Sequence, residues 1–253
     1  MTKWSWAAAS LRGTSHERCG EPRQDAFRIA APVGGPDFLT IVTCDGAGSA
    51  SHGGAGAAIA AWTLTSCART WLSVLGRLPE ADAAACWMLL ARERIASAAA
   101  KRGLDPRDFA TTAVVAISDG ASTVTAHVGD GAVAARSASS GGWTALSWPE
   151  QGEYASTTRF LTEEAGPALR FARHDDPVDR LAVMTDGLER LALDFRTCVP
   201  HAAFLEPMVA PLTCRGIGGH DRELSRALAV YLAGDRVNER TDDDKTLVLA
   251  ARS

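Results

Sequence analysis

Ile41-Val42-Thr43-Cys44-Asp45-Gly46-Ala47-Gly48-Ser49 reads as a buried strand that ends abruptly in a carboxylate. Apolar and β-branched residues lead into Asp45, and Gly46 lets the backbone turn sharply. Ser51-His52-Gly53-Gly54-Ala55-Gly56 then opens an alanine-rich helix. A single Asp-Gly is a common turn and carries no chemistry by itself. Here the pattern recurs at Leu181-Ala182-Val183-Met184-Thr185-Asp186-Gly187, and in related form at His127-Val128-Gly129-Asp130-Gly131. Ser118-Asp119-Gly120-Ala121, by contrast, joins two strand-like runs and reads as a hairpin turn.

Around these strand ends the chain alternates between sheet and helix in blocks. Lys3 to Ser10 suits an edge strand, Gly13 to Arg23 a polar loop, and Gln24 to Ala30 a second strand with Asp25 at its start. Pro32 to Pro36 reads as a turn. Ser51 to Leu75 and Glu80 to Arg102 have helical periodicity, with Trp62, Trp71 and Trp87 as expected anchors on a sheet. Strands are predicted at Thr111 to Ile117, Ser122 to Val128, Ala132 to Arg136, Trp143 to Ser147, Leu169 to Arg173 and Leu181 to Met184, with loop from Trp148 to Pro167. Helices over Pro200 to Val209 and Asp221 to Leu232, a polar loop from Asp235 to Asp244 and a strand from Lys245 to Ala251 complete the chain. Helices grouped in pairs rather than interleaved with strands exclude a βαβ sheet and favour two antiparallel sheets with paired helices outside them.

The chain has 253 residues, 46% of them hydrophobic, and no break in composition divides residues 1–253, so one large domain is expected. A net charge of -4 with no basic stripe argues against nucleic acid as a partner. No apolar run reaches the roughly 20 residues of a membrane span, and Met1 to Ser10 is too short for a signal peptide. The expectation is a cytoplasmic protein without membrane association. Cys19, Cys44, Cys67, Cys86, Cys198 and Cys214 show neither metal-site nor disulfide spacing and read as small core residues.

Asp25, Asp45, Asp186 and the Asp242 to Asp244 cluster all fall where a strand begins or ends. Carboxylates gathered on one rim repel unless a cation sits among them. An all-oxygen carboxylate set selects hard divalent ions such as Mg2+ or Mn2+. Two such ions about 4 Å apart share a bridging hydroxide and aim it in line at phosphorus. Phosphoester hydrolysis is the predicted chemistry.

Gln24-Asp25-Ala26, Thr43-Cys44-Asp45-Gly46, Val128-Gly129-Asp130, Thr185-Asp186-Gly187-Leu188 and Asp243-Asp244-Lys245-Thr246, in this order, resemble the motifs of the protein phosphatase 2C family of metal-dependent Ser/Thr phosphatases. Gly13-Thr14-Ser15-His16 and Gly152-Glu153-Tyr154-Ala155 further resemble a compact bacterial branch of that family. The resemblance implies an α+β fold, a four-layer α-β-β-α sandwich with two antiparallel sheets flanked by paired helices. It implies two Mn2+ or Mg2+ ions and hydrolysis of phosphomonoesters by a metal-bridged hydroxide without a phosphoenzyme. On this resemblance Asp45 bridges both ions and the Gly46 carbonyl completes one shell. Asp186 and Asp243 hold the first ion, and Asp25 orients waters or ligates on the second. Asp130 with Asp186 takes a weak third ion, or else is only a turn residue. His16 is a candidate proton donor or phosphate contact, or else a solvated loop histidine. The implied partner is a phosphorylated protein opposing a Ser/Thr kinase, acted on by a monomer.

Three positions depart from the family pattern. The phosphate-gripping arginine falls near Gly20, which leaves Arg18, Arg23 or His16 to bind substrate phosphate. Ala47 stands where many eukaryotic members have histidine, and Asp244 stands where asparagine is usual. An added carboxylate at Asp244 is expected to favour metal and disfavour a phosphate dianion. Two other readings remain: a non-catalytic phosphoprotein-binding module on the same fold, and a hydrolase of small phosphoesters.

Overall fold

In the computed structural model, which describes residues 3–31, 37–150, 158–214 and 218–252, the deciding stretch opens as a strand, Leu39–Cys44, with every strand residue buried. In chain order, β1 (Trp4–Leu11), α1 (Thr14–Cys19) and β2 (Ala26–Ala30) precede β3 (Leu39–Cys44) and the long pair α2 (Gly53–Leu75) and α3 (Ala81–Ala100). Then come β4 (Ala113–Ser118), β5 (Thr123–Val128), β6 (Ala132–Ser137), β7 (Trp143–Ser147), β8 (Arg170–His174) and β9 (Val178–Met184). The remainder holds α4 (Glu189–Ala192), a ribbon of β10 (Leu193–Asp194) and β11 (Val199–Pro200), α5 (Ala202–Cys214), β12 (Gly219–His220), α6 (Arg222–Leu232), α7 (Asp235–Asn238) and β13 (Lys245–Arg252).

Among the described residues the strands form two main sheets, ordered β12-β1-β13-β9-β6-β7 and β2-β3-β4-β5-β8. Leu39, Ile41, Val114 and Ala116 of the second sheet meet Val133, Leu181, Val183 and Val248 of the first in a shared apolar layer. The opposite faces are covered by helices. Leu64, Ala68, Met88 and Ile95 bring α2 and α3 onto the second sheet, and Leu205, Val209, Leu228 and Leu232 bring α5 and α6 onto the first. The result is the expected α-β-β-α sandwich. Strand β3 is covered on both faces, which is why its sequence is a continuous apolar run rather than an alternation.

Several local expectations are corrected. The sheets are not wholly antiparallel, because β12 adds to β1 in parallel through Ser5↔Gly219 and Trp6↔His220. The polar stretch after Gly13 is not all loop: α1 forms because tertiary bonds hold its first turn, Gly13 N–H donating to Asp244 Oδ1 and Ser15 N–H to the Asp242 carbonyl. Gly20, at φ 71°, ends it in the left-handed conformation. Helix α5 runs past Val209 to Cys214 despite Pro207 and Pro211, since its Leu205, Val209 and Leu212 face is buried. The polar stretch before Asp244 contains α7. Of the cysteines only Cys44 is buried, while Cys19, Cys86, Cys198 and Cys214 are exposed on outward positions. Trp87 does anchor α3 in the core, but Trp71 meets it edge-on between the helices and Trp62 is 49% exposed beneath the Arg94 guanidinium. The Pro32 to Pro36 turn and the Gly152-Glu153-Tyr154-Ala155 motif lie outside the described residues. No described helix is long and apolar enough to cross a membrane.

Candidate active site

Strand register gathers the carboxylates. Ala26 pairs with Cys44, which sets Asp25 beside Asp45 at the same end of β2 and β3. Leu247 pairs with Met184 across β13 and β9, and Thr185 N–H donates to the Thr246 carbonyl, which sets Asp186 beside Asp243 and Asp244. A cleft of about 260 Å3 opens at this end, with Asp45, Asp130, Asp186, Asp243 and His16 among its walls and no lysine or arginine among its described lining. The close approach of helix and strand requires glycine at two points. A Cβ on Gly46 would lie 2.2 Å from the Gly53 backbone, and one on Gly187 would lie 1.9 Å from the Asp244 carbonyl oxygen.

Asp25 sits beneath the cleft rather than in its wall. Thr185 and Thr246 hydroxyls donate to its Oδ2 at 2.8 and 2.6 Å, while Oδ1 is buried with no donor. Asp186 Oδ1 and Asp130 Oδ1 are also buried without a donor, and Thr158 donates to Asp130 Oδ2 at 2.5 Å. What Asp25 and Asp186 meet instead is the carboxyl of Asp45, placed between them. Burial first, then the neighbouring carboxylates, pushes the Asp25 and Asp186 carboxyls up to about 7 and that of Asp45 well above its ordinary range. Asp130 is raised by burial as well.

Orphaned carboxylate oxygens around a cleft whose described walls carry no lysine or arginine fit hard divalent cations. Among the described residues no group of three or more His, Cys, Asp or Glu side chains is arranged to hold a metal ion.

The neighbouring Asp244 behaves in the opposite way. It is 2% exposed and turned away from the cleft, accepting from Gly13 N–H at 2.7 Å, Gln24 N–H at 2.5 Å, Asp25 N–H at 3.3 Å and His16 Nδ1 at 2.9 Å. Its two oxygens are held by these four donors, while its charge still acts on Asp25 and His16. His16 gains from this. Burial pulls its pKa down, but the Asp244 bond and the charges of Asp244, Asp243 and Glu21 outweigh that and raise it. Arg18 and Arg23 do not reach the cleft. Arg18 pairs with Asp242 at 2.8 Å in solvent, and Arg23 donates to the Asp25 and Ser10 carbonyls at 3.1 and 2.7 Å. Gly46 lines the cleft, and the Gln24 amide, with its NH2 turned inward, donates to the Gly46 carbonyl at 3.0 Å. Ser15, Ser49, Thr158 and Phe160 complete the walls without having been singled out from the sequence. Ser15 lies in the Gly13 to His16 motif and Ser49 at the end of the Ile41 to Ser49 stretch. Thr158 and Phe160 follow a stretch of irregular composition that offered no period to read.

A family model described as Protein phosphatase 2C matches residues 12–229, most of the chain. The chain belongs to the protein phosphatase 2C family. Serine/threonine-protein phosphatase 3 from Escherichia coli K12 is 36% identical over 98% of this chain and 98% of its own length. Among solved structures, PppA from Pseudomonas aeruginosa is 17% identical, with full coverage of both chains and a TM-score of 0.65. The catalytic domain of the phosphatase PstP, solved with two manganese ions, is 16% identical over 100% of this chain and 99% of that one, with a TM-score of 0.58. These two structures share the protein phosphatase 2C fold seen here.

Proposed function

We propose that this protein removes phosphate from phosphoserine and phosphothreonine in proteins, using two Mn2+ or Mg2+ ions held at the cleft. The observation that carries the reading is the set of buried, donor-free carboxylate oxygens of Asp25, Asp130 and Asp186 around Asp45, in a cleft with no lysine or arginine among its described walls. Asp45, which meets both Asp25 and Asp186, would serve both ions, with the Gly46 carbonyl beside it. Asp186 and Asp243 would hold one ion, Asp25 would act on the second directly or through water, and Asp130 with Asp186 would serve a weak third. Bound there, the ions supply an acidified water as nucleophile and polarise the phosphoryl oxygens.

The chain's own groups do the rest. His16 keeps Nδ1 on Asp244, which fixes the ring and favours its protonated form for donation to the leaving oxygen. With Arg18 and Arg23 engaged elsewhere, Ser15 and His16 are the described side chains left to contact the phosphate from the α1 side. Phe160, packed on Ala47, Ala50 and Ala110, gives the cleft mouth an apolar edge for the peptide around the phosphorylated residue. The substrate is then the product of a Ser/Thr kinase. Turnover of p-nitrophenyl phosphate and a phosphothreonine peptide with Mn2+, Mg2+ or EDTA tests the reading. Metal-dependent turnover of both, with the peptide preferred, is expected; a metal-loaded, folded protein that binds the peptide without cleaving it would move the assignment to a binding module.

A further inference from the structure

Beside the catalytic cleft lies a second cavity of about 220 Å3, and Asp186 and Asp243 line both. One of its other walls is the start of α4 with Glu189 and Arg190, and another is the segment before β13 with Arg240 and Asp242. Both arginines are exposed. Asp242 is already held by Arg18 at 2.8 Å. Arg190 is near enough to act on the charge of Glu189 yet forms no ion pair with it, and among the described residues Arg240 has no carboxylate partner either. Of the six charged side chains around this cavity, Asp186 and Asp243 belong to the proposed metal site and Asp242 is paired with Arg18, which leaves the Arg190 and Arg240 guanidinium groups and the half-buried Glu189.

The position of the pair matters more than its number. A phosphorylated side chain inserted in the catalytic cleft leaves its own backbone at the mouth, and a chain crossing the Asp186 and Asp243 wall enters the second cavity within a few residues. Guanidinium groups without carboxylate partners, one on α4 after β9 and one on the segment before β13, present their donors to whatever arrives there. We propose that this cavity is a specificity subsite that binds an acidic side chain of the phosphoprotein substrate, a few residues to one side of the phosphorylated residue, through Arg190 and Arg240. The proposal rests on the phosphatase reading above.

The test compares phosphothreonine peptides carrying glutamate or glutamine at the second to fourth positions on either side. For the wild-type protein with Mn2+, kcat/KM is expected to be roughly fivefold higher for glutamate on one side only, with the ratio falling toward one in ~0.5 M salt. The doubly reversed variant Arg190→Glu with Arg240→Glu is expected to bring the ratio below one, and Arg190→Lys with Arg240→Lys to preserve it. Because each variant is read as a ratio between two peptides, any effect on the shared chemistry cancels. A wild-type ratio of one on both sides, or a preference that survives charge reversal, overturns the subsite. Wild-type turnover of p-nitrophenyl phosphate is run alongside: turnover without acidic preference counts against the subsite alone, and no turnover of any substrate removes both readings.

Discussion

Asp243 and Asp244 are consecutive in sequence and opposite in circumstance. Asp243 lines the cleft with Asp45, Asp130 and Asp186 and accepts from the Asp244 N–H at 2.7 Å, whereas Asp244 is buried behind it with four donors on its two oxygens. The same split divides the two regions they belong to. Behind the cleft, the segment from Gly13 to Asp25 is stitched to the last strand by hydrogen bonds to one anion. Across the cleft, Asp25, Asp130 and Asp186 each leave a buried oxygen with no donor. A buried carboxylate that owns its donors is a structural clasp, and a group of buried carboxylates that lack them calls for a cation. Four ways of breaking this contrast follow.

The largest effect is expected at the centre of the donor-poor side. Asp45→Asn, and likewise Asp186→Asn, should lower Mn2+-dependent turnover by roughly a thousandfold. In EDTA the sign reverses for stability. At pH 8, above the value of about 7 to which Asp186 is raised, removing its charge from the crowded buried set by Asp186→Asn should stabilise the metal-free fold by on the order of 1–2 kcal/mol, read as a higher midpoint in thermal unfolding. An Asp186→Asn protein that is less stable than wild type in EDTA at that pH would remove the claim that the cleft stores repulsion.

On the donor-rich side the same class of change should act on folding. Asp244→Ala strands the N–H groups of Gly13, Gln24 and Asp25 and frees the His16 ring, at a cost of about 2–4 kcal/mol. Asp244→Asn keeps one acceptor oxygen and should recover part of this. Loss of Mn2+ affinity in Asp244→Ala without loss of stability would mean that Asp244 belongs to the metal site after all.

The pH dependence of the metal-free protein sharpens the contrast at smaller scale. Asp25 and Asp186, raised to about 7 chiefly by burial, hold protons in the folded state that the unfolded chain, titrating near 3.8, has released. Their favourable contribution is complete below about pH 4 and is lost as pH rises through 7. His127, pushed down to about 3 by burial and then by Arg170, works the other way: stability is full above 6.5 and is lost as pH falls toward 3. The informative window is therefore pH 6.5 to 8, where folded His127 is neutral and unfolded His127 is at most half protonated. There, stability in EDTA should fall by roughly 1 kcal/mol per carboxyl, and with Mn2+ it should rise instead, since binding requires deprotonated ligands. His16, raised above 6.5, contributes with the same sign as the carboxyls, so His16→Gln measured beside wild type separates the two.

The sequence made the donor-poor side legible and the donor-rich side not. Asp45 and Asp186 close uninterrupted apolar runs, so their strand-end position followed from local pattern, and the layer order followed from the blocks of strands and paired helices. Asp244 carried no such signal. Its neighbours Asp242 and Asp243 made it look like one more charge on the rim, and only the fold of α1 across β13, over 200 residues away in sequence, turns it inward to Gly13 and His16. Arg18 and Arg23 were misleading for the same reason. They stand near the missing arginine in sequence, but a helix and a strand start point them elsewhere.

The smallest expected effect is the sharpest check on that last correction. The Arg18 and Asp242 side chains that form the 2.8 Å pair are 68% and 65% exposed. Exposed pairs of this kind contribute about 0–1 kcal/mol, since solvent screens the attraction and two long side chains lose freedom. Arg18→Ala should therefore shift the unfolding midpoint by little, and kcat/KM for a phosphothreonine peptide by less than about twofold. The competing outcome is specific. If Arg18 leaves Asp242 to grip the phosphate when substrate arrives, KM rises about tenfold or more, because a charged hydrogen bond to the dianion is lost. Asp242→Asn, which releases Arg18 from its partner, should then lower KM, whereas with Arg18 confined to the rim it leaves KM where it was. The two variants move in opposite directions only if the guanidinium reaches the cleft, so measuring both decides which side of the contrast Arg18 belongs to.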